Sequence, residues 1–426
     1  MKIIYALLIF SSLSINGQSN VVDWLNSNAI YIEDANPDSK LLNFDRLSPV
    51  LFNNASIFGF GEASHHGKEF FDIKSKFFKY LVEKKGVKVF IMEENYQAEK
   101  GINEWIRGGK GDSISVMENF TLSPWHCKEV AGLLSWMRHY NKDKTPADQI
   151  RFYGMDAQVG KGINLELRSF ISRHNIKIEG ELLKAADECS EKKITGKEGE
   201  WATMQLINLE KIEKLIVSNQ LQNSSNAEQK DYMEVIRALS YLKSYITYMQ
   251  NYKTEVRDEQ MYNNVLRILK DSGQNQAFIW AHNEHINKQG HSKNIVNLGN
   301  RLKNHFKTDY FSVGFDFGTG ILPGMETEKG EFKRWKYYSL DKPIAKTFAE
   351  TLARAKDEIY FVDLDLARQT ETSNFFLTEH NHLAVGGPGI NPTKKVFIKR
   401  SYIDAYDALI FVRKISPTSK LSTVLK

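Results

Sequence analysis

The sequence predicts an α/β fold, a mostly parallel sheet with flanking helices and a long helical insertion that forms a cap over the strand C-terminal ends. Five short apolar runs, rich in β-branched or aromatic residues, each stop at an acidic residue or a histidine: ASIFGFGE at Glu62, VKVFIME at Glu93, IRFYGMD at Asp156, QAFIWAH at His282 and YFSVGFD at Asp316. A helical pattern separates the first two. Residues 200 to 272 contain neither glycine nor proline and carry helical spacing.

Apolar residues at successive positions along each run suit strands covered on both faces. Between the first two runs, Phe70, Ile73, Phe77 and Leu81 recur on one helical face and Gly86 ends the pattern. A second helical pattern, Leu133 to Tyr140, precedes the third run, so the strand–helix–strand rhythm continues. Three later runs, EIYFVDLD, KKVFIKR and DALIFVRK, read as strands nearer the sheet edge. The helical stretch interrupts the rhythm and reads as two long helices, the second opened by a capping box, Ser225-x-x-Glu228. The organisation expected is a signal peptide at 1–18, an α/β core at 19–160, a helical insertion at 161–272 and the rest of the core at 273–426.

Of the 426 residues, 42% are hydrophobic and 12% aromatic, enough for a sizeable core. Lys and Arg exceed Asp and Glu by 57 − 52 = 5, without a concentrated basic block, so nucleic acid is not an expected partner. Lys2 precedes an apolar run from Ile3 to about Ile15, with small or polar residues near Gly17, the pattern of a cleavable signal. That run is too short to span a bilayer. Export of a soluble chain to the periplasm is therefore expected, without stable membrane insertion. Cys127 and Cys189 allow at most one bridge, and their spacing does not decide whether they meet.

Ligands of open parallel sheets bind beyond the carboxyl ends of the strands, so charged groups ending several strands point to one crevice. Gly59-Phe60-Gly61-Glu62-Ala63-Ser64-His65-His66-Gly67 lacks the third glycine of a dinucleotide loop, and Glu62 would repel a pyrophosphate. Its glycines instead let the chain turn while delivering Glu62 and His65 together. A carboxylate beside a histidine fixes the tautomer and raises the basicity of the ring, as a general base requires. The competing reading makes Ser64 a helix cap and His65 and His66 solvated first-turn residues. Glu93 and Glu94 cannot both sit comfortably charged in a dry site, and alternation points one inward and one outward. His282 and His285, three apart after a strand, can face one site as metal ligands or as proton carriers. No HExxH helix, CxxC, GxSxG elbow or phosphate loop occurs. Water is thus the expected nucleophile and no metal or other cofactor is expected. Gly386-Gly387-Pro388-Gly389 reads as a turn.

The pieces GEASHHGKEFF, the strand ending at Glu93, NEWIRGG, SWMRHYN, FYGMDAQ, VRDEQM and WAHNEHI, in this order over about residues 57 to 320, resemble the erythromycin esterase family. The resemblance implies hydrolysis of a macrolide lactone, without a metal, giving antibiotic resistance. It also implies that Glu62, His65, Glu93, His282, His285 and Arg257 line the active site. His65 would activate water, Glu62 and Glu93 would orient or relay, His282 and His285 would assist the leaving alkoxide, and Arg257 would hold the oxyanion. Lys74 stands where the family pattern has Arg, and Leu298-Gly299 where it has Met-Gly; both bear on substrate preference. Lys74, Asp156 and the aromatic rings of Tyr96 and Trp125 are candidate substrate contacts, a core role being equally open for the two rings. The alternatives are a metal-dependent hydrolase or transferase acting on a cell-envelope polysaccharide or phosphoester, and an exported binding protein without turnover.

Overall fold

The computed structural model describes residues 20–44, 51–52, 54–219, 225–292, 294–328, 331–391 and 395–421. The expected signal peptide lies outside the described residues. Strands among them are β1 (Ile30–Tyr31), β2 (Ile57–Phe60), β3 (Val89–Asn95), β4 (Arg151–Asp156), β5 (Ala277–Trp280), β6 (Tyr310–Glu328), β7 (Glu331–Leu340), β8 (Ile359–Asp363), β9 (His380–Ala384), β10 (Val396–Arg400) and β11 (Ala408–Ile415). The fold is mixed α/β with a mostly parallel sheet, as the strand–helix rhythm predicts.

The chain divides into two compact units, one formed by residues 1–88, 126–133 and 275–426, the other by 89–125 and 134–274. The second unit therefore takes in β3 and β4 as well as the helices, where the sequence reading had drawn its insertion at 161–272. In the first unit the strand order is β1-β8-β11-β6-β2-β5, with β7 paired to β6. β11, β6, β2 and β5 run parallel, and β8 joins β11 antiparallel. β11, expected nearer an edge, is thus flanked on both sides. Among the described residues β10 pairs only with β9, in a separate two-stranded ribbon. The run ending at Asp316 continues as β6 to Glu328 and folds back as β7, so Asp316 is mid-strand.

After β2 the helix Lys68–Lys85 buries Phe70, Ile73, Phe77 and Leu81, the face its spacing predicts, and ends on left-handed Gly86 at φ 72°. Phe77 lies 5.3 Å, ring to ring, from Phe60 of β2 and 6.2 Å from Phe361 of β8. Phe70 lies 5.6 Å from Phe315 of β6. Lys74 follows Phe70 by one turn, so it is carried into the apolar interface.

In the second unit β3 and β4 pair in parallel, with a register shift between Met92 and Asn95. Two long helices, Gly199–Ser218 and Asn226–Gln250, share a core of Leu209, Ile212, Ile216, Leu239, Leu242 and Ile246. The Ser225–Glu228 capping box is formed. Asn264 of the helix Thr254–Ser272 donates to the Met155 carbonyl at 2.9 Å, and the Tyr241 hydroxyl to that of Gly154 at 2.6 Å, tying the helices to β4. No helix of the described residues is long and apolar enough to cross a membrane. Both cysteines are buried and free.

One close approach fixes the turn after β2. A Cβ on Gly61 would stand 2.1 Å from Asn283 Oδ1, and that side chain is itself clamped between the Phe315 carbonyl and N–H. Gly61→Ala is expected to lower unfolding free energy by about 1–3 kcal/mol, read from the denaturant midpoint at constant slope. An unchanged midpoint would show that the turn is not tightly held.

Candidate active site

In the first unit the chain leaves β2, turns at Gly61 and presents Glu62 with no exposed side-chain surface. One Glu62 oxygen accepts from His65 Nδ1 at 2.6 Å and the other from the Lys74 ammonium. Lys74 is also fully buried, lies 4.0 Å from the centre of the Trp280 ring and donates to the Ala281 carbonyl at 3.4 Å. A buried cation with a carboxylate, a carbonyl and an aromatic face has its desolvation compensated three ways. The Lys74 ammonium is thus engaged with Glu62, the Ala281 carbonyl and the Trp280 ring. With Glu62 as the acceptor, Nδ1 is the donor nitrogen of the neutral His65 ring. Ser64 is no helix cap. The helix begins after Gly67 without a side-chain cap, and Ser64 Oγ accepts the His66 N–H at 3.2 Å.

The second segment follows β5. Glu62 also accepts, through its carbonyl, the Asn283 N–H at 3.0 Å, which brings the start of the short helix Asn283–Ile286 to the turn. His282 caps this helix, its Nδ1 accepting the Glu284 N–H at 3.2 Å, so its proton sits on Nε2. Its ring centre is 4.9 Å from that of His65. His285 is one turn on, buried, its ring 5.7 Å from His291. Between them Glu284 accepts from His382 Nε2 at 3.1 Å and from the Arg400 guanidinium. Burial opposes ionisation of Glu284, but the His382 hydrogen bond and the Arg400 charge outweigh it and hold the carboxyl well below the usual range. Arg400 also donates to Asn287 Oδ1 at 3.0 Å and the Gly290 carbonyl at 2.8 Å.

The second unit gathers another cluster. Arg257 donates from Nη2 to Glu93 at 2.8 Å and to Asp156 at 2.6 Å, and from Nε to Asp156 at 2.9 Å. Asp156 further accepts the Ala157 N–H at 2.7 Å and Gln158 Nε2 at 2.6 Å. With both oxygens so engaged, Asp156 anchors Arg257. Glu93 and Glu94 are both buried, against the expected inward–outward split. Glu94 turns into the 121–122 loop and accepts both backbone N–H groups at 3.1 Å. Burial pushes its carboxyl up to about 7, against the lowering effect of these bonds. Trp125 and Tyr96 are interior. The Trp125 indole donates to the Glu93 carbonyl at 3.0 Å, while Tyr96 stacks on Tyr241 at 4.8 Å and donates to Glu166 at 3.0 Å.

Within single units, then, the structure joins Glu62, His65, Lys74 and His282, and separately Glu93, Asp156 and Arg257. The sequence reading missed Asn283, His382 and Arg400. Asn283 was visible as a polar residue between the two histidines, whereas His382 and Arg400 lie about a hundred positions away with no motif. A carboxylate-oriented imidazole beside a second histidine can take a proton from water and return one to a leaving group.

A family profile described as "Erythromycin esterase" matches residues 82–415. The chain is similar to the "Erythromycin esterase type II" of Escherichia coli, 24% identical over 345 residues that cover 72% of this chain and 80% of that protein. Among solved structures it resembles a Bacillus cereus protein with a TM-score of 0.81 at 22% identity, covering 95% of this chain and 99% of the other. A protein titled a succinoglycan biosynthesis protein has a TM-score of 0.80 at 20% identity over the same shares. A mutant of the erythromycin esterase EreC in its open conformation has a TM-score of 0.64 at 15% identity, covering 92% and 98%. These likenesses show a common fold.

Two measurements probe the ionic framework. Glu284→Gln breaks a buried pair and is expected to destabilise the protein by about 3 kcal/mol in denaturant unfolding at pH 7. A difference below about 0.5 kcal/mol, the scale of an ordinary surface substitution, would sink that account. The Glu94 carboxyl is raised in the folded state, so the native protein binds the proton more tightly. Its contribution is present at low pH and declines as pH rises from the ordinary carboxylate range to about 7. Glu94→Gln should flatten that decline, and parallel pH–stability curves for the two proteins would contradict it.

Proposed function

The chain belongs to the erythromycin esterase family, and we propose that it opens the lactone ester of a macrolide with a water molecule activated by His65. The observation that carries this reading is the 2.6 Å contact between His65 Nδ1 and the buried Glu62. It orients the ring and supports the imidazolium that forms when Nε2 takes a proton. Water oxygen bonds to the lactone carbonyl carbon as its proton passes to His65 Nε2, giving a tetrahedral intermediate. Collapse breaks the bond between that carbon and the ring oxygen, and the leaving alkoxide takes a proton from a histidine. The product is the ring-opened hydroxy acid, heavier by one water. The 4.9 Å separation of the His65 and His282 rings supports a part for His282 in that second transfer.

Lys74 supports the same reading from behind the site, because its charge lets Glu62 remain an acceptor at zero exposure. In the cell the consequence is macrolide resistance. The apolar run from Ile3 to about Ile15 supports export, with the reaction in the periplasm.

Incubation with erythromycin is expected to give the one-water product by mass spectrometry, and His65→Ala to lower kcat by about 10²–10⁴-fold. No such product with any macrolide would overturn the proposal. Activity that disappears in chelator and returns with a divalent metal would favour instead the metal-dependent reading on a polysaccharide or phosphoester.

A further inference from the structure

The β6–β7 hairpin is the feature of the first unit that catalysis by His65 leaves unexplained. It pairs from Gly320 with Leu340 to Glu328 with Glu331, and β7 reads EFKRWKYYSL. Trp335 opposes Met325 and Tyr337 opposes Pro323, which puts these four on one face by strand alternation. The opposite face carries Arg334, paired to Glu326 at 2.6 Å, and Lys336, which lies 5.5 Å over Tyr338. Met325 and Tyr337 are 40% and 44% exposed, Trp335 is half-buried and Pro323 buried, and the Lys420 ammonium stands 5.9 Å over the Tyr337 ring, so the face is a small exposed apolar patch with one cation at its Tyr337 end.

This face is continuous with the loop of the proposed base. Trp335 makes an edge contact with His66, ring centres 5.1 Å apart, and His66 directly follows His65. His66 Nε2 donates to the Gly387 carbonyl at 3.0 Å. The same turn grips the hairpin, since the Met325 N–H donates to the Pro388 carbonyl at 2.8 Å and Ile390 N–H to that of Pro323 at 2.9 Å. Cβ atoms added at Gly386 or Gly387 would meet open space. Burial pushes His66 down to about 4, so at neutral pH it presents an uncharged ring to Trp335. An apolar patch of this kind, with its one cation at the edge, favours a ligand with a broad aliphatic face.

The geometry points to a substrate subsite: Trp335, with Met325 and Tyr337, takes the aliphatic ring face of the ester whose carbonyl His65 and its water attack, and His66 with Gly387 sets its distance from the base. This rests on the lactone-hydrolysis reading of His65. It makes Trp335 a specificity-determining residue, acting on binding of the ring.

The test separates binding from turnover. Erythromycin is titrated calorimetrically into the full chain carrying His65→Asn, alone and combined with Trp335→Ala or Trp335→Phe. The expected result is a Kd at least tenfold higher with Trp335→Ala and within about threefold with Trp335→Phe, at unchanged melting temperature. An unchanged Kd with Trp335→Ala would overturn the subsite even if the mass measurement shows lactone opening. Erythromycin binding that depends on Trp335 would uphold it even if no product forms. A dimer in sedimentation that Trp335→Ala dissolves would overturn it by giving the face to a second copy of the chain.

Discussion

The placing of one buried carboxylate, Glu62, organises the first unit's chemistry. Its two oxygens hold His65 and Lys74, and its carbonyl holds the Asn283 N–H. Three chain segments, the turn after β2, the helix Lys68–Lys85 and the segment after β5, thus meet on one residue. Such a carboxylate is tolerated only because each acceptor has a donor, and the Lys74 cation is in turn compensated by Trp280 and the Ala281 carbonyl. The imidazole is oriented by the same contacts that keep the charge buried, so stability and positioning are coupled here.

The segment after β5 is held by a similar arrangement. Glu284 sits between His282 and His285 in sequence, and its anchoring by His382 and Arg400 fixes the short helix that carries both. That helix has four residues and little stability of its own. Asn283 and Asn297 add to the clamp, the first bonding β6 at Phe315 and the second donating to the Glu284 carbonyl at 2.6 Å. The second unit repeats the pattern with the sign reversed, the Arg257 cation being held by Glu93 and Asp156.

Local pattern made much of this legible. Uninterrupted apolar runs marked β2 to β5 because buried strands need apolar residues on both faces, and the Phe70–Leu81 spacing marked the helix that packs on β2 and β5. The Ser225–Glu228 box was readable because capping is decided within one turn. Local pattern is silent where distant segments decide. Asp316 looked like a strand end, yet β6 continues because β11 supplies partners as far as Gly320 and β7 from Gly320 to Glu328. DALIFVRK looked peripheral, yet β6 and β8 flank it. Glu93 and Glu94 looked alternately inward and outward, yet the 121–122 loop covers Glu94.

By itself the sequence determined the strand ends that carry Glu62, His282 and Asp156, the helix that carries Lys74, and the family to which the chain belongs. These follow from neighbours a few positions apart, where spacing and residue type suffice. Only the tertiary structure decided that Lys74 answers Glu62, that His382 and Arg400 answer Glu284, and that the Trp335 face adjoins the His65 loop. Partners separated by a dozen to three hundred positions leave no periodic trace, and a buried charge is matched to whichever donor the folded chain brings within reach.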